Sequence, residues 1–465
     1  MDKQRERIYV CHTFYHVYVA CLKELNLPAR SPEEAAGAGI PCGEEGDAPS
    51  GAPEKPMAGA AALRGENGGD APDAPEHFTA GMPRGARRGG ATLVLSRMSN
   101  DFGDLDVRAR GSGLFEEVVW FDEKPFSFFE ELTPLKEDTG SLPRNMANRM
   151  KFCRRYGQLE EPYVPVDFAQ YRDIYVFCDS DPIGYYLSYK KIRYHAVEDG
   201  LDCIRYYDTA RWDNRGHFAL KAWMAARGFI FIQNGYGRYC IDMEVNDISA
   251  LEHPTDNMVE VPREKLIAGL APADRELLIR LFIANRGELE TALRSAIAEN
   301  RPAVLILTEP LCTDLAIRQK LFEDMIAQYG TFPAEAVPEA DEVSSGEGGT
   351  AKTEADSAKD TGRDAAKESG ARIPGTIVIK PHPRDALNYR EIFPQHIVLD
   401  AKFPMEILNL LDIEGAQGGC IFARVVTVYT VPDSIHCAKE KIYLGNAWMD
   451  RYEDQSAHAH VTDVR

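Results

Sequence analysis

The first half of the chain alternates short apolar runs with amphipathic segments, and this order predicts a sheet flanked by helices. Runs of β-branched and aromatic residues of strand length occur at 7–11, 91–96, 115–121, 173–178 and 191–197. Apolar positions with helical spacing follow the first run over residues 12–25 and the fourth run from Pro182 onwards. Strands that alternate with helices in this way favour a mainly parallel sheet with helices on both faces.

The second half of the chain repeats this alternation. Strands are predicted at 302–308, 376–380, 395–399 and 424–429, and helices at 263–300, 314–329 and 384–393. We therefore predict an α/β protein built from two Rossmann-like domains, which comprise residues 1–255 and 256–465.

Two segments lack the large apolar residues that a core requires. Residues from about 28 to 90 are mainly Ala, Gly, Pro and Glu, and residues from about 333 to 372 are acidic and of low complexity. Such segments cannot bury enough surface to offset the entropy that is lost on ordering. Both are predicted to be disordered insertions in surface loops.

Composition and charge narrow the class of partner. The chain has 465 residues, of which 44% are apolar, so it is long enough for two cores. Its net charge of −20 argues against nucleic acid as a partner. Much of the acidic excess lies in the two insertions, so this charge does not argue against a nucleotide-sized ligand of the folded parts. The ten cysteines show no metal-ligand spacing and predict free thiols in a reducing compartment. The charged start and the lack of a long apolar window predict a cytoplasmic protein without a signal peptide or membrane span.

A tripeptide of two acids and a glycine, Glu198-Asp199-Gly200, ends a predicted strand of the first half. Ligands of open α/β sheets bind beyond the carboxyl ends of the strands. Two adjacent acids repel each other, which raises the pKa of one of them towards that of a useful base. A solvated turn, in which Gly200 takes a left-handed conformation, explains the same residues without any chemistry.

A second motif, Lys380-Pro381-His382-Pro383, ends a predicted strand of the other half. The flanking prolines fix the backbone around His382, and Lys380 is a natural partner for an anionic leaving group. Pro383 would stand near the start of the helix predicted at 384–393, whose N-terminal amides would favour a phosphate. A rigid corner with a surface histidine is the alternative.

Other polar residues stand at the ends of predicted elements, where they either cap the element or contact a ligand. Asp179 and Asp181 imitate a metal-binding DxD motif, but their place before a helix favours capping, and no metal site is predicted. His12, Thr13 and His16 open the first helix, which suits contacts with an acceptor, although burial is the alternative. The second half has further candidates at the ends of predicted elements, namely Thr308, Glu309, Pro310, Glu406, Thr427, Tyr429 and Thr430.

Together these motifs resemble the bacterial sialyltransferases of GT-B architecture, namely the lipooligosaccharide sialyltransferases and the related polysialyltransferases. That family pairs a (D/E)(D/E)G motif in one domain with an HP motif in the other. The order of the remaining pieces is also similar: an HTxYH-type helix start, DxDP, a TxPL loop, KPHP, FPxE and a VTVYT strand. The family usually has Ser-Ser or Ser-Thr where this chain has Thr430-Val431, so one expected hydroxyl is missing.

The resemblance implies two Rossmann-like domains that face each other across a cleft, and it implies residue roles. Glu198 would be the general base for the acceptor hydroxyl, Asp199 would support it, and His382 would bind the donor phosphate of CMP-sialic acid. Glu406 would hold the ribose. The donor site is predicted to comprise Gly200, Thr308, Glu309, Pro310, Lys380, Pro383, Glu406, Thr427 and Thr430, and the acceptor site His12, Thr13, His16, Asp179 and Asp181.

The resemblance thus implies an inverting glycosyltransferase that needs no metal or other cofactor and transfers sialic acid or a related nonulosonic acid to a surface glycan. The acceptor would be a lipooligosaccharide or capsule precursor. A lipid-linked acceptor of this kind would allow peripheral association with the inner face of the cytoplasmic membrane. A homodimer also agrees with this prediction. Two alternatives stay open: a transferase of the CDP-polyol phosphotransferase type, and a catalytically silent scaffold for polysaccharide assembly.

Overall fold

The computed structural model describes most of the chain outside the two low-complexity segments. The described residues are 5–27, 90–123, 127–177, 179, 182–200, 216–251, 254–333, 372–413, 420–430 and 432–452. They form two compact units, Met1–Ala271 and Pro272–Arg465, each of which is considered by itself. The predicted disordered insertions, at about 28–90 and 333–372, lie outside the described residues apart from their end positions.

Seven parallel strands form the sheet of the first unit, in the order β3-β2-β1-β4-β5-β6-β7. The strands are β1 (Arg5–Cys11), β2 (Ala91–Ser96), β3 (Phe115–Phe121), β4 (Tyr171–Phe177), β5 (Tyr194–Val197), β6 (Cys240–Val245) and β7 (Met258–Glu260). The α-helices are α1 (Phe14–Leu25), α2 (Leu105–Gly111), α3 (Thr133–Lys136), α4 (Leu142–Glu160), α5 (Ile183–Lys190), α6 (Phe218–Ala226) and α7 (Arg263–Ala268). Short 3₁₀ turns lie at Glu130–Leu132, Glu161–Tyr163, Phe168–Gln170 and Ile248–Ala250.

The central strands of this sheet are apolar on both faces because helices cover both. Ile8 and Val10 of β1 pack with Val94 and Val176 of the neighbouring strands in one buried cluster. The chain order reverses between β1 and β4, which lie side by side in parallel. Such a reversal opens a crevice beyond the carboxyl ends of the strands, where open α/β sheets bind ligands.

The second unit has a five-stranded parallel sheet, in the order β12-β11-β8-β13-β14. Its strands are β8 (Ala303–Leu307), β11 (Thr376–Lys380), β12 (Ile397–Val398), β13 (Phe422–Thr427) and β14 (Ala438–Tyr443), and β9 (Thr331–Pro333) and β10 (Arg372–Pro374) form a separate antiparallel pair. The α-helices are α8 (Pro272–Phe282), α9 (Arg286–Ala298), α10 (Leu315–Tyr329), α11 (Tyr389–Ile392) and α12 (Gly445–Met449), with 3₁₀ turns at Met405–Leu410 and Pro432–Ser434.

The predicted α/β class with parallel sheets is confirmed, and the arrangement within each unit is consistent with a Rossmann-like class. The boundary between the compact units follows Ala271 rather than residue 255. The reason is that β7 pairs with β6, and Asn26, just after α1, donates a side-chain hydrogen bond to Leu266 O of α7 at 2.9 Å. Residues 256–271 therefore belong to the first unit.

The helix predicted at 384–393 is wrong over most of its length, because only Tyr389–Ile392 is helical. A turn replaces its first part: the amide of Asp385 donates to His382 O at 3.0 Å, and the amide of Leu387 donates to the Asp385 carboxylate at 3.2 Å. Pro383 is exposed in this turn, so the predicted helix N-terminus beside His382 does not exist. No described helix is both long and apolar enough to cross a membrane.

Candidate functional site

Glu198 follows β5 at the carboxyl edge of the first sheet and is almost entirely buried, with 2% of its surface exposed. Its amide donates to Glu244 O, and its Oε2 accepts a hydrogen bond from the amide of Asn246 at 3.0 Å. Burial raises the pKa of Glu198 above its ordinary value; the Asn246 bond and the Arg263 charge oppose this, and the Asp199 charge adds to it. The environment is therefore one that makes a carboxylate a better proton acceptor.

Asp199 lies at the rim of the first sheet, where 27% of its side chain is exposed and its carboxylate contacts His16 Nε2. The tautomer of His16 follows from its other nitrogen, because the amide of His12 donates to His16 Nδ1 at 3.0 Å. Nδ1 must be unprotonated, so Nε2 carries the hydrogen that is donated to Asp199. Burial lowers the pKa of His16, which agrees with a neutral ring. His16 thus holds the Asp199 carboxylate in place without adding a charge.

His12 connects this pair to a second buried carboxylate. Its Nδ1 lies 3.0 Å from Phe177 O, and its Nε2 lies 2.9 Å from Glu123 Oε2. Burial disfavours the charged ring, but the Glu123 carboxylate outweighs burial and the pKa of His12 lies above its ordinary value. Because both ring nitrogens have acceptors as partners, the protonated form satisfies both, and His12 and Glu123 form a buried ion pair.

The residues assigned to the acceptor site are mostly buried and have structural partners. Thr13 is the N-cap of α1 and accepts from the amide of His16 at 3.2 Å. Asp179 accepts from Tyr194 Oη at 2.8 Å and from the amides of Asn234 and Gly235, so it anchors a loop.

Of the remaining predicted residues in the first unit, Gly200 has a φ of 103°, a left-handed value that favours glycine and lets the chain turn after Asp199. Asp181 lies outside the described residues. Of the residues predicted to bind an acceptor, the structure thus places His16 in contact with Asp199.

A further acid that the sequence did not single out, Glu160, ends α4 with no exposed surface. Within the described residues neither of its carboxylate oxygens has a hydrogen-bond partner. Burial, with a smaller contribution from Glu123, raises the pKa of Glu160 to about 8. Glu160 is therefore protonated in the folded protein at neutral pH.

This burial predicts a specific pH dependence of stability. The folded state holds the Glu160 proton up to about pH 8, whereas the unfolded chain releases it near its ordinary pKa, so folding stability falls as pH rises between those values. We expect Glu160→Gln to raise the free energy of unfolding by about 2–4 kcal/mol more at pH 9 than at pH 5. Urea unfolding at both pH values measures this. Glu161→Gln, at the exposed neighbour, is the control, and an equal effect of Glu160→Gln at both pH values would contradict the assignment.

In the second unit, His382 follows β11 at the carboxyl edge of the sheet. The amide of Arg384 donates to His382 Nδ1 at 3.1 Å, so the neutral ring carries its hydrogen on Nε2. Burial, with the nearby charges of Arg384 and Lys380, lowers the pKa of His382 to about 4. Above that pH the ring is neutral and presents Nε2–H as a hydrogen-bond donor.

Asp385, which the sequence reasoning missed, holds the His382 turn to the sheet. Its side chain is fully buried; Oδ1 lies 2.7 Å from Arg318 Nη1, and Oδ2 accepts from Tyr389 Oη at 2.6 Å. The Thr308 hydroxyl lies 3.3 Å from the same Oδ2 and accepts from the amide of His382 at 3.1 Å. The predicted residue Thr308 therefore positions His382 through backbone and side-chain contacts.

His382 lines a cavity of about 510 Å³ beside β11 and β12. The polar side chains at its wall include Asn285, Asn388 and Asp400, none of which was predicted. Asn285 Oδ1 is buried and accepts no hydrogen bond within the described part of the chain. A buried carbonyl oxygen without a donor is costly, so this wall suits a ligand that presents an N–H or O–H group.

Lys380 and Glu309, both assigned to the donor site, form hydrogen bonds within the second unit. Burial lowers the pKa of Lys380 to about 7, and its Nζ donates to Pro381 O at 2.9 Å and Ala401 O at 3.0 Å. Glu309 lies where the chain order reverses between β8 and β13; its carboxylate accepts from the amide of Tyr429 at 2.9 Å and also from the amide of Thr430.

Glu309 also contacts Thr427, another residue assigned to the donor site. Its Oε1 lies 2.8 Å from the Thr427 hydroxyl. Glu309, Thr427 and Thr430, all assigned to the donor site, thus contact one another within the second unit.

Two residues assigned to the donor site, Pro310 and Glu406, do not line the cavity. Burial raises the pKa of Glu406, while a hydrogen bond from its own amide, another from Ser434 and the Lys380 charge oppose that rise. Of the predicted donor-site residues and His382, the structure places only His382 at the cavity wall. Within the described ranges no group of three or more His, Cys, Asp and Glu residues could hold a metal ion.

Comparison with known proteins gives little further information. The chain is 36% identical over 66 residues to an uncharacterized protein of Haemophilus influenzae (strain ATCC 51907 / DSM 11121 / KW20 / Rd), a match that covers 14% of this chain and 19% of that protein. The chain thus spans about a fifth of the length of this relative. No family model and no solved structure matches the chain.

Proposed function

We propose that the protein is an inverting glycosyltransferase of GT-B type that moves sialic acid, or a related nonulosonic acid, from a CMP donor to a hydroxyl of a surface glycan. The observation that carries the proposal is that His382, at the carboxyl edge of the second sheet, lines a cavity of about 510 Å³. Its ring is neutral and carries its hydrogen on Nε2, where it can donate a hydrogen bond. A buried carboxylate of raised pKa, Glu198, stands at the corresponding edge of the other sheet. Such a transfer requires a hydrogen-bond donor for the leaving phosphate and a base for the acceptor hydroxyl, and these two residues are of the right kind.

On this proposal Glu198 accepts the proton of the acceptor hydroxyl while the new C–O bond forms at the anomeric carbon. Inverting transfer places the base and the leaving group on opposite faces of the sugar. Asp199 raises the pKa of Glu198 through its charge, and His16 fixes the position of Asp199. The base would therefore be prepared by burial and by a neighbouring charge of fixed position.

The leaving CMP would be bound in the cavity of the second unit. Negative charge grows on the phosphate as the glycosidic bond breaks, and the neutral Nε2–H of His382 can donate to that phosphate. Asn285 Oδ1 and the Asp400 carboxylate can accept from the amino group of cytosine or from ribose hydroxyls. The proposal assigns charge stabilisation to His382 and requires no metal ion or other cofactor.

A thermal-shift screen against CMP, CDP, UDP and GDP tests the donor class. A ligand at 100 times its Kd stabilises the folded state by about 2.7 kcal/mol, so CMP should raise Tm by several degrees. Asn285→Ala should weaken the response because it removes the acceptor from the cavity wall. His396→Ala, at a histidine of the same unit that does not line the cavity, is the control.

The outcomes of this screen separate the alternatives. A response to CMP that is absent with UDP and GDP supports the proposal. A response to CDP with turnover of a CDP-polyol would favour a phosphotransferase instead. No response to any cytidine nucleotide would favour a non-catalytic scaffold and would contradict the proposed function.

A further inference from the structure

One stretch of this acidic chain contains no acid. The 28 residues from Asn214 to Ile241 lack Asp and Glu, although the whole chain has 73 of them and a net charge of −20. The same stretch carries four basic residues: Arg215, Lys221, Arg227 and Arg238. This stretch of sequence therefore carries a charge of +4, opposite in sign to that of the whole chain.

Four large apolar side chains of this stretch are exposed to solvent, and three of them lie on α6 or just beyond it. Leu220 and Trp223, one turn apart on α6, are 38% and 50% exposed, and Phe229 just beyond the helix is 47% exposed. The rings of Trp223 and Phe229 lie close together, with 6.3 Å between centroids. Contiguous exposed apolar surface of this kind marks an interaction site more often than a single exposed residue does.

Two arginines border these apolar side chains and keep their charge available. The Arg227 guanidinium lies 4.0 Å from the centroid of the Trp223 ring and donates to Trp223 O at 3.1 Å. Arg238 donates to Arg227 O at 3.4 Å. Within the described residues neither guanidinium forms an ion pair with a carboxylate, and both arginines are exposed to solvent.

The opposite face of α6 holds this surface rigidly to the unit. Met224 and Ala225 are buried in one cluster with Ile230 and Phe231, and Phe218 packs edge-on against Tyr236. The exposed side chains thus stand on a packed platform. Exposure of Trp223 and Phe229 is therefore a property of the folded unit.

We propose that Leu220, Trp223, Phe229, Arg227 and Arg238, here called the Trp223 patch, attach the protein to a membrane surface that contains anionic lipid. Tryptophan is favoured at the boundary between hydrocarbon and headgroups because its ring is apolar and its N–H is polar. The arginines attract anionic headgroups. This attachment is independent of the proposed catalysis and differs from association through a lipid-linked acceptor, because the patch binds lipid directly.

The size and the charge of the patch favour a lipid surface over a protein partner. Stable protein interfaces need about 800 Å² from each partner, which is more than three apolar side chains supply. Lipid attachment needs less, because a small apolar insertion adds to the attraction between basic side chains and anionic headgroups. Of these two occupants, an anionic lipid surface fits the combination of exposed arginines and exposed aromatic rings.

Co-sedimentation of the full chain with vesicles tests this proposal. We expect binding to vesicles that contain phosphatidylglycerol and much weaker binding to pure phosphatidylcholine vesicles, with loss of binding at high salt. Arg227→Gln and Arg238→Gln should each lower the partition coefficient about fivefold, since a basic residue near an anionic surface contributes about 1 kcal/mol. Tyr443→Ala, at an exposed aromatic residue of the second unit, is the matched control and should bind as the unchanged protein does.

A second measurement locates the contact on the patch itself. Vesicles with brominated acyl chains should quench tryptophan fluorescence, and Trp223→Phe should remove most of the quenching while keeping an apolar ring. Binding that is equal for neutral and anionic vesicles, or that is unchanged in Arg227→Gln, would overturn the proposal. So would binding to an anionic glycan with none to vesicles. Circular dichroism of each variant establishes that the fold is kept.

Discussion

Glu198→Gln is expected to lower kcat for glycosyl transfer by about 10²- to 10⁴-fold, the usual contribution of a positioned general base. The substitution keeps the size of the side chain and a carbonyl oxygen that can accept from the amide of Asn246. It removes the only function that the proposal gives to Glu198, which is to accept a proton. Binding of CMP, which is assigned to the second unit, should therefore be unchanged.

The pH profile supplies a sharper test of the same residue. Transfer needs the ionised form of Glu198, so kcat/KM should fall as pH drops through the pKa of Glu198, which burial raises. Because the Asp199 charge contributes to that rise, Asp199→Asn should move the acid limb to lower pH. The carboxamide oxygen of this variant can still accept from His16 Nε2, so the substitution changes the charge and keeps the geometry.

Matched controls separate loss of the base from loss of the fold. Glu260→Gln removes an exposed carboxylate from β7 of the same sheet and should leave kcat unchanged. Near-normal turnover in Glu198→Gln would show that another group accepts the proton. An acid limb that does not move in Asp199→Asn would show that Glu198 is not the group whose titration controls the rate.

Most strands of the two sheets could be predicted because the evidence for them is local, but β6, β7 and β14 were not predicted, and neither was the order of the strands within each sheet. Apolar runs such as Ala91–Ser96 and Thr376–Lys380 are buried on both faces, and their boundaries agree with the prediction. The proline-flanked His382 was found for the same reason, since its motif is contiguous in sequence. Side chains that meet from distant parts of the chain leave no such pattern.

The missed residues show what sequence reasoning could not supply. Asp385 is important because Arg318, 67 residues earlier, forms a buried ion pair with it. That pair, together with Tyr389 Oη, favours a turn over the helix predicted after Pro383. The spacing of an acid three residues after His382 is the only sequence signal, and acids with that spacing are common at helix starts.

Two of the predicted site residues have internal hydrogen bonds with a common physical explanation. Backbone amides at the ends of strands must be satisfied, and Asp179 and Glu309 accept from such amides within their own units. A polar residue at a strand end can therefore be explained by its contacts with the backbone alone. His16 falls between these cases, because it is fully buried and yet contacts the partly exposed Asp199.

The second large effect is expected at His382. A hydrogen bond to a charged group contributes about 1.5–3 kcal/mol, so His382→Ala should weaken CMP binding by about 10- to 150-fold. Isothermal titration calorimetry with CMP measures this. His382→Gln keeps an N–H donor and should recover part of the affinity, whereas His396→Ala should bind CMP as the unchanged protein does.

Because the pKa of His382 lies near 4, the neutral donor is present throughout pH 6 to 8, and CMP affinity should show no His382 titration there. Full affinity in His382→Ala, with the fold intact, would remove the phosphate contact from the proposal.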